Sequence, residues 1–251
     1  MTVNDLAKKL LPLPLWVRIA YFRQYWLLGE WEMRELAGLL PRRGLAIDVG
    51  ANIGLYSYSL KRLGQQVIAF EPDPAFQTRL LALLGKRAHI ETVALSSEQG
   101  TGTMRVPVVA DEYGGALGSL SDQAVPDEMV STSYGVELRT LDSYNFTDVA
   151  FVKIDVEGHE EAVLAGAAET LERSKPVLLI EIEERHNPGG LDRIAKSLSK
   201  LGYQGSFFHQ RKRRGLSEFV PDVHQAESAI ARGDGNRRKL DYVNNFVFTV
   251  P

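Results

Sequence analysis

The sequence predicts an α/β protein, a doubly wound and mostly parallel sheet entered through a helical arm. Two observations carry this. Apolar runs ending on carboxylates recur along the chain, at residues 45–48, 67–71, 149–155 and 177–183, each followed by a turn. Helix-length amphipathic segments separate most of them, the alternation expected of strands laid parallel with helices on both faces. In addition, Leu45-Ala46-Ile47-Asp48-Val49-Gly50-Ala51-Asn52-Ile53-Gly54 runs from a buried strand through an acid into a glycine turn, with a helix over residues 55–63 starting at once. Such a strand-turn-helix unit forms a ligand crevice at the carboxyl end of a parallel strand.

A chain of 251 residues, 44% of them hydrophobic, supports one large domain with an added arm, divided here as residues 1–40 and 41–251. The net charge of -3 argues against a nucleic-acid binder. Cysteine is absent, which excludes disulfides, thiolate zinc sites and a cysteine nucleophile. Pro12, Pro14, Arg18 and Arg23 interrupt the apolar residues near the start, so no cleavable signal is expected there. No run is long and apolar enough for a membrane helix, and a cytoplasmic location is the expectation.

The arm, residues 5–40, reads as helical. Trp16, Tyr21, Phe22, Tyr25, Trp26 and Trp31 crowd it, with Arg18, Arg23 and Arg34 between them. Helical spacing of apolar residues favours packing on the domain's own core. An acceptor lid, a dimer contact and a peripheral membrane contact stay open. Pro41-Arg42-Arg43-Gly44 ends the arm.

The turn after the first strand then poses the question of the cofactor. A dinucleotide fingerprint is G-x-G-x-x-G, its amides receiving a pyrophosphate. The spacing here is Gly50-x-x-x-Gly54, without the middle glycine. Both glycines suit a tight turn and close approach of a ligand, with Asn52 between them. A carboxylate on Asp48 at the crevice mouth would repel a pyrophosphate and attract the ammonium and sulfonium of S-adenosylmethionine. The second strand ends on Glu71, placed to accept both ribose hydroxyls, and Pro72-Asp73-Pro74 turns the chain into a helix capped by Asp73. A third strand over residues 89–95 brings Ala94 and Leu95 beside the adenine.

Residues 101–140 alternate at both ends around a small-residue loop containing Ser119, read as a substrate-side flap. Val149-Ala150-Phe151-Val152-Lys153-Ile154-Asp155-Val156-Glu157-Gly158-His159-Glu160 then delivers Asp155, Glu157 and His159 to the cofactor end of the sheet. Gathering ionisable groups there points to chemistry. A helix over residues 160–172 leads to the strand 177–183, where Glu181 and Glu183 share one face. A helix over residues 191–201 and strands over 203–208 and 242–250 finish the chain. Arg211-Lys212-Arg213-Arg214 between them reads as a loop, solvated or holding a phosphate-bearing substrate through Arg213.

These blocks together resemble the FkbM-type methyltransferases: Asp48-Val49-Gly50-Ala51-Asn52-Ile53-Gly54, Phe70-Glu71-Pro72, Thr140-Leu141-Asp142, and Val152 to Glu160 followed by Leu164 and Gly166. The resemblance runs from about Glu30 to the final strand. It implies a seven-stranded Rossmann-like sheet, S-adenosyl-L-methionine as cofactor, and transfer of a methyl group to an oxygen, often a hydroxyl of a sugar, glycoconjugate or natural product. Trp31 and Glu32 stand where the family carries an aromatic and acidic pair, which places Glu32 near the methionine end of the cofactor.

The site residues follow. Cofactor contacts are expected from Glu32, Asp48, Gly50, Asn52, Gly54, Glu71, Pro72, Ala94, Leu95 and Asp155, and acceptor contacts from Ser119, Glu181, Glu183 and Arg213. His159 is the first choice for the base that removes the acceptor's proton, with Asp155 and Glu157 as runners-up or as groups that orient it. No ligand spacing demands a metal, although Asp155, Glu181 and Glu183 offer oxygens that would suit a divalent cation. A nicotinamide-dependent oxidoreductase and a non-catalytic cofactor-binding module of a polysaccharide assembly are the alternatives. The acceptor, small molecule or glycan, and the oligomeric state are not written in the sequence.

Overall fold

The computed structural model describes residues 11–23, 25, 31–85, 88–107, 119–120, 131–226 and 242–251. The arm contributes α1 (Leu13–Arg23) and α2 (Trp31–Leu39). Residues 5–10 of the expected arm helix, and Trp26, lie outside the described residues. Trp16, Val17 and Tyr21 of α1 pack with Leu83, and the Tyr21 hydroxyl is 2.7 Å from Ser59 Oγ. Met33, Leu36 and Leu39 of α2 join Phe151, Leu179 and Val247 in one apolar cluster. Both helices therefore lay an apolar face on the sheet domain, as helical spacing favoured.

The first half of the domain is β1 (Leu45–Val49), α3 (Leu55–Arg62), β2 (Gln66–Phe70), α4 (Pro74–Leu84) and β3 (His89–Glu91). Asp73 caps α4 as expected, its Oδ1 accepting from the Ala75 amide at 2.8 Å, with Pro74 in the first helical turn. Next come β4 (Ala94–Leu95), β5 (Gly100–Pro107), β6 (Ser131–Arg139), β7 (Val149–Ile154), α5 (Glu160–Ala165), α6 (Ala168–Ser174), β8 (Val177–Glu181) and α7 (Gly190–Ser199). The chain closes with β9 (Gln204–His209), β10 (Lys212–Gly215), α8 (Pro221–His224) and β11 (Asn245–Thr249).

The main sheet runs β10-β9-β11-β8-β7-β1-β2-β3. β3, β2, β1, β7 and β8 are parallel, and β11, β9 and β10 are antiparallel additions. Chain direction across the sheet reverses between β1 and β7, and such a switch point opens a crevice at the strands' carboxyl ends. Ile47, Val152, Leu178 and Ile180 are almost wholly buried in the centre, each contributing about 2 kcal/mol through removal of apolar surface from water.

Three features differ from the sequence reading. The sheet carries eight strands among the described residues, one more than expected, because the basic run is not a loop. Gln210 and Arg211 both take positive φ, 50° and 66°, and turn β9 back into β10 as a hairpin. The strand expected over residues 89–95 splits, since β3 pairs with β2 whereas β4 pairs with β6 in a separate three-stranded sheet. The helix expected over residues 160–172 breaks after α5. A Cβ on Gly166 would stand 2.0 Å from the Ser96 carbonyl oxygen, so the chain there passes in backbone contact with the segment after β4.

Candidate active site

The turn after β1 is built by close approach of one part of the chain to another. Gly50 has φ 76°, and a Cβ there would lie 1.8 Å from the carbonyl oxygen of Asp155. Gly54, with φ 86°, is packed against Leu80. Gly50 is thus required by backbone contact and Gly54 by its left-handed φ, reasons that act whether or not a ligand approaches. Asn52 between them takes φ 49° and offers its amide to Glu71 Oε2 at 2.7 Å. Glu71 Oε1 accepts from the Asp73 amide at 2.8 Å, so this one carboxylate ties together the loops after β1 and β2. Each of its oxygens retains a second lone pair, enough to receive a ribose hydroxyl. Pro72 is half-buried beside it. Burial is the main reason the Glu71 pKa rises to about 7, and the nearby Asp48 charge adds to the rise.

Asp48 is not open at the crevice mouth. Only 2% exposed, it accepts a 2.5 Å hydrogen bond from Ser57 in α3, and burial pushes its pKa up to about 6. The sequence shows that β1 ends on an acid but not which neighbour covers it. The carboxylate open at this end is Asp155, whose side chain is 33% exposed and whose amide donates to the Val49 carbonyl at 3.0 Å.

Lys153 organises the neighbouring acids. It is in register with Asp48 across β1 and β7, so both side chains leave the same face of the sheet. Its buried ammonium lies 3.1 Å from Asn245 Oδ1, 3.7 Å from Asp155 and 3.9 Å from Glu181, and 5.0 Å from the Tyr56 ring centre. A buried cation is stable only among such partners. Oxygens of Asp155, Glu157 and Glu181 lie within 4.8 Å of one another. Glu183 is not part of this group: it accepts from the Tyr242 hydroxyl at 3.0 Å and pairs with Arg185. The trio considered for a divalent cation, Asp155, Glu181 and Glu183, is therefore not assembled, and the Lys153 ammonium stands beside two of its members.

Glu157 adopts φ 50°, rare for a side chain of its kind. Ser119 holds it there, the buried hydroxyl donating to the Glu157 carbonyl at 2.6 Å. The rest of the expected flap, residues 108–118 and 121–130, lies outside the described residues. His186, in the loop after β8, places Nδ1 2.7 Å from Glu157 Oε2. His159 places Nε2 3.0 Å from Ser96 Oγ, and burial lowers its pKa. Ala94 and Leu95 are buried in β4, with Leu95 in the main core. Glu32 is buried in the first turn of α2. Arg213 is remote, on edge strand β10, five strand spacings or roughly 24 Å from β1, with Nε bonded to Ser206 Oγ.

Sequence reasoning thus missed Lys153 and His186. The first was legible as the one charge inside the apolar strand Val149–Ile154. The second follows the carboxylates Glu183 and Glu184 at the end of an apolar strand, the same pattern that drew attention to Asp155.

Residues 48–204 match the family model described as the methyltransferase FkbM domain. The chain belongs to the FkbM methyltransferase family. Among solved structures, methyltransferase FkbM from Methylobacillus flagellatus KT is similar at 17% identity and a TM-score of 0.52, over 98% of this chain and 57% of that one. The chain thus spans little more than half the length of that relative. A TehB-like SAM-dependent methyltransferase from Corynebacterium glutamicum is similar at 14% identity and a TM-score of 0.45, covering 93% of this chain and 96% of that one. No curated protein matches the sequence. Among the described residues, no helix is long and apolar enough to cross a membrane.

This FkbM methyltransferase takes S-adenosylmethionine as its cofactor, and the crevice fits it. Buried Glu71 and half-open Asp155 are acceptor-only groups when ionised, suited to ribose hydroxyls and to a cationic ligand. Binding is accordingly linked to pH. Glu71 is raised in the folded protein, so the free fold holds a proton that the unfolded chain releases near pH 4.5. Its stabilising contribution is complete below that pH and is lost as pH rises through about 7. Hydroxyl donors favour the ionised form, so ribose hydroxyls bound at Glu71 would expel the proton. Calorimetry with S-adenosylhomocysteine in buffers of different ionisation enthalpy should show proton release near pH 6.5, and affinity rising by about tenfold from pH 5.5 to 7.5. Absence of released protons would remove Glu71 from the binding site.

Proposed function

We propose that this methyltransferase acts on a hydroxyl oxygen of a sugar, glycoconjugate or natural product. The observation that carries the reading is the set of acceptor groups at the β7 and β8 end of the crevice, where oxygens of Asp155, Glu157 and Glu181 converge within 4.8 Å. Carboxylates accept hydrogen bonds and donate none, which matches a polyol rich in O–H donors and disfavours an anionic acceptor. The FkbM resemblance supports oxygen as the methylated atom. A cytoplasmic location goes with this reading.

When bound, S-adenosylmethionine supplies a methyl group already activated by its sulfonium. Catalysis by the chain is then mainly alignment, holding the acceptor oxygen in line with the methyl carbon, an effect that can be worth about 7 kcal/mol or more. Glu71 fixes the ribose, Asp155 faces the cationic end, and the carboxylates around Lys153 orient the acceptor's hydroxyls. A hydroxyl scarcely ionises at neutral pH, so a positioned base raises the rate further.

The test incubates the protein with methyl-labelled S-adenosylmethionine and small-molecule and glycan fractions of cell extract, followed by mass spectrometry. The expected result is a labelled methyl ether, formed at an unchanged rate after treatment with a chelator. Label found on nitrogen, carbon or sulfur would replace the reading, and a rate abolished by the chelator would bring in a metal.

A further inference from the structure

We propose that His186, oriented by Glu157, is the group that takes the proton from the acceptor hydroxyl. This rests on the hydroxyl reading above and assigns its base to a residue that the sequence motifs do not include. His186 Nδ1 stands 2.7 Å from Glu157 Oε2, and because a carboxylate oxygen accepts and cannot donate, Nδ1 is the nitrogen that would carry the hydrogen of the neutral ring. The lone pair then lies on Nε2, which makes no hydrogen bond among the described residues. A carboxylate also stabilises the imidazolium formed when Nε2 takes up a proton.

Both partners are held in place. The Glu157 carbonyl is fixed by Ser119, and the His186 amide donates to the Glu183 carbonyl at 3.0 Å in a loop that Arg185 and Tyr242 anchor through the Glu183 carboxylate. A backbone fixed in this way at both residues limits where the two side chains can reach, as a reacting geometry requires.

Location separates the two histidines. Glu71 at the tip of β2 marks the ribose, so a cofactor crossing β1 presents its methyl end toward β7 and β8. Glu157 and His186 stand on the loops after those two strands. His159 instead bonds Ser96, which follows β4. In the reaction the acceptor oxygen bonds to the methyl carbon as the methyl–sulfur bond breaks, sulfur keeps that electron pair, and the hydroxyl proton passes to His186 Nε2. The ring's charged partner is Glu157, and around Glu157 stand Asp155 and Glu160 from the β7 side and Glu181 and Arg185 from the β8 side.

The experiment compares His186→Gln, Glu157→Gln, the double variant and His159→Ala in transfer of labelled methyl to cell extract, alongside calorimetric binding of S-adenosylhomocysteine. His186→Gln should lower turnover by about 10²-fold or more with the dissociation constant within about twofold of the parent's. Glu157→Gln should cost about tenfold, the double variant should be no slower than His186→Gln, and His159→Ala should keep most of the activity. Turnover by His186→Gln within a few-fold of an active parent overturns the proposal, as does an equal loss of cofactor affinity, which would mark a structural role. A parent silent on every fraction fails the hydroxyl reading instead. Nitrogen NMR of the histidine rings then judges the pair separately: a Nδ1–H tautomer at His186 that is lost in Glu157→Gln supports it, and a Nε2–H tautomer refutes it.

Discussion

Gly50→Ala should destabilise the protein by about 3 kcal/mol or more and abolish measurable cofactor binding. Two costs combine. An alanine at φ 76° pays about 1–2 kcal/mol for left-handed backbone. Its methyl would also stand 1.8 Å from the Asp155 carbonyl oxygen, a backbone atom that no rotamer change can move. Relief requires the end of β7 to withdraw from β1, stretching the bond from the Asp155 amide to the Val49 carbonyl and carrying the Asp155 carboxylate out of the crevice. Gly38→Ala is the control. Nothing lies within 4 Å of its added methyl in α2, and alanine is the better helix former, so stability should rise by up to about 1 kcal/mol. Thermal melts of the two variants should move in opposite directions. A Gly50→Ala protein as stable as the parent would mean that β1 and β7 do not approach so closely.

Glu71→Ala should weaken S-adenosylhomocysteine binding by about hundredfold, with a smaller loss of stability. On the proposed binding mode, removing the carboxylate takes away both acceptors offered to the ribose, and hydrogen bonds to a charged group are worth about 1.5–3 kcal/mol each. It also strands the Asn52 and Asp73 amides, which loosens the loops that form the crevice walls. Glu71→Gln separates these effects. Its carbonyl still accepts from one amide, so the loops stay closer to their parent positions, whereas the rise of affinity with pH should disappear along with the titrating group. Unchanged affinity in Glu71→Ala would place the ribose elsewhere.

The strand-turn-helix unit around Gly50 and the helix begun by Asp73-Pro74 were legible because both are local. An apolar run, a φ that favours glycine, and a proline suited to the first turn each act within a few residues. The same local information could not say which face of the sheet Asp48 would occupy, and it turns inward onto Ser57. Nor could it show that Ser96 would pass against Gly166, the contact that interrupts the helix after residue 165. The hairpin at Gln210-Arg211 was hidden because neither residue is a glycine or an asparagine, although both adopt positive φ. At the site, Asp155 and Glu157 stood out through the acid pattern. Their cation Lys153 and the ring of His186 come from the strand interior and from the following loop; each carried a local signal, but which acid each one meets is set by tertiary pairing.

The edge strand β10 has a consequence for solution behaviour. An open sheet offers unpaired amides and carbonyls at its rim, a template onto which another molecule's backbone can add. Here that rim carries Lys212, Arg213 and Arg214 in succession, and the opposite rim, β3, is only three residues long. Two copies brought rim to rim along β10 would set Lys212 and Arg213 of one against those of the other, with Arg214 partly offset by Glu218, a charge pattern that opposes such pairing among the described residues.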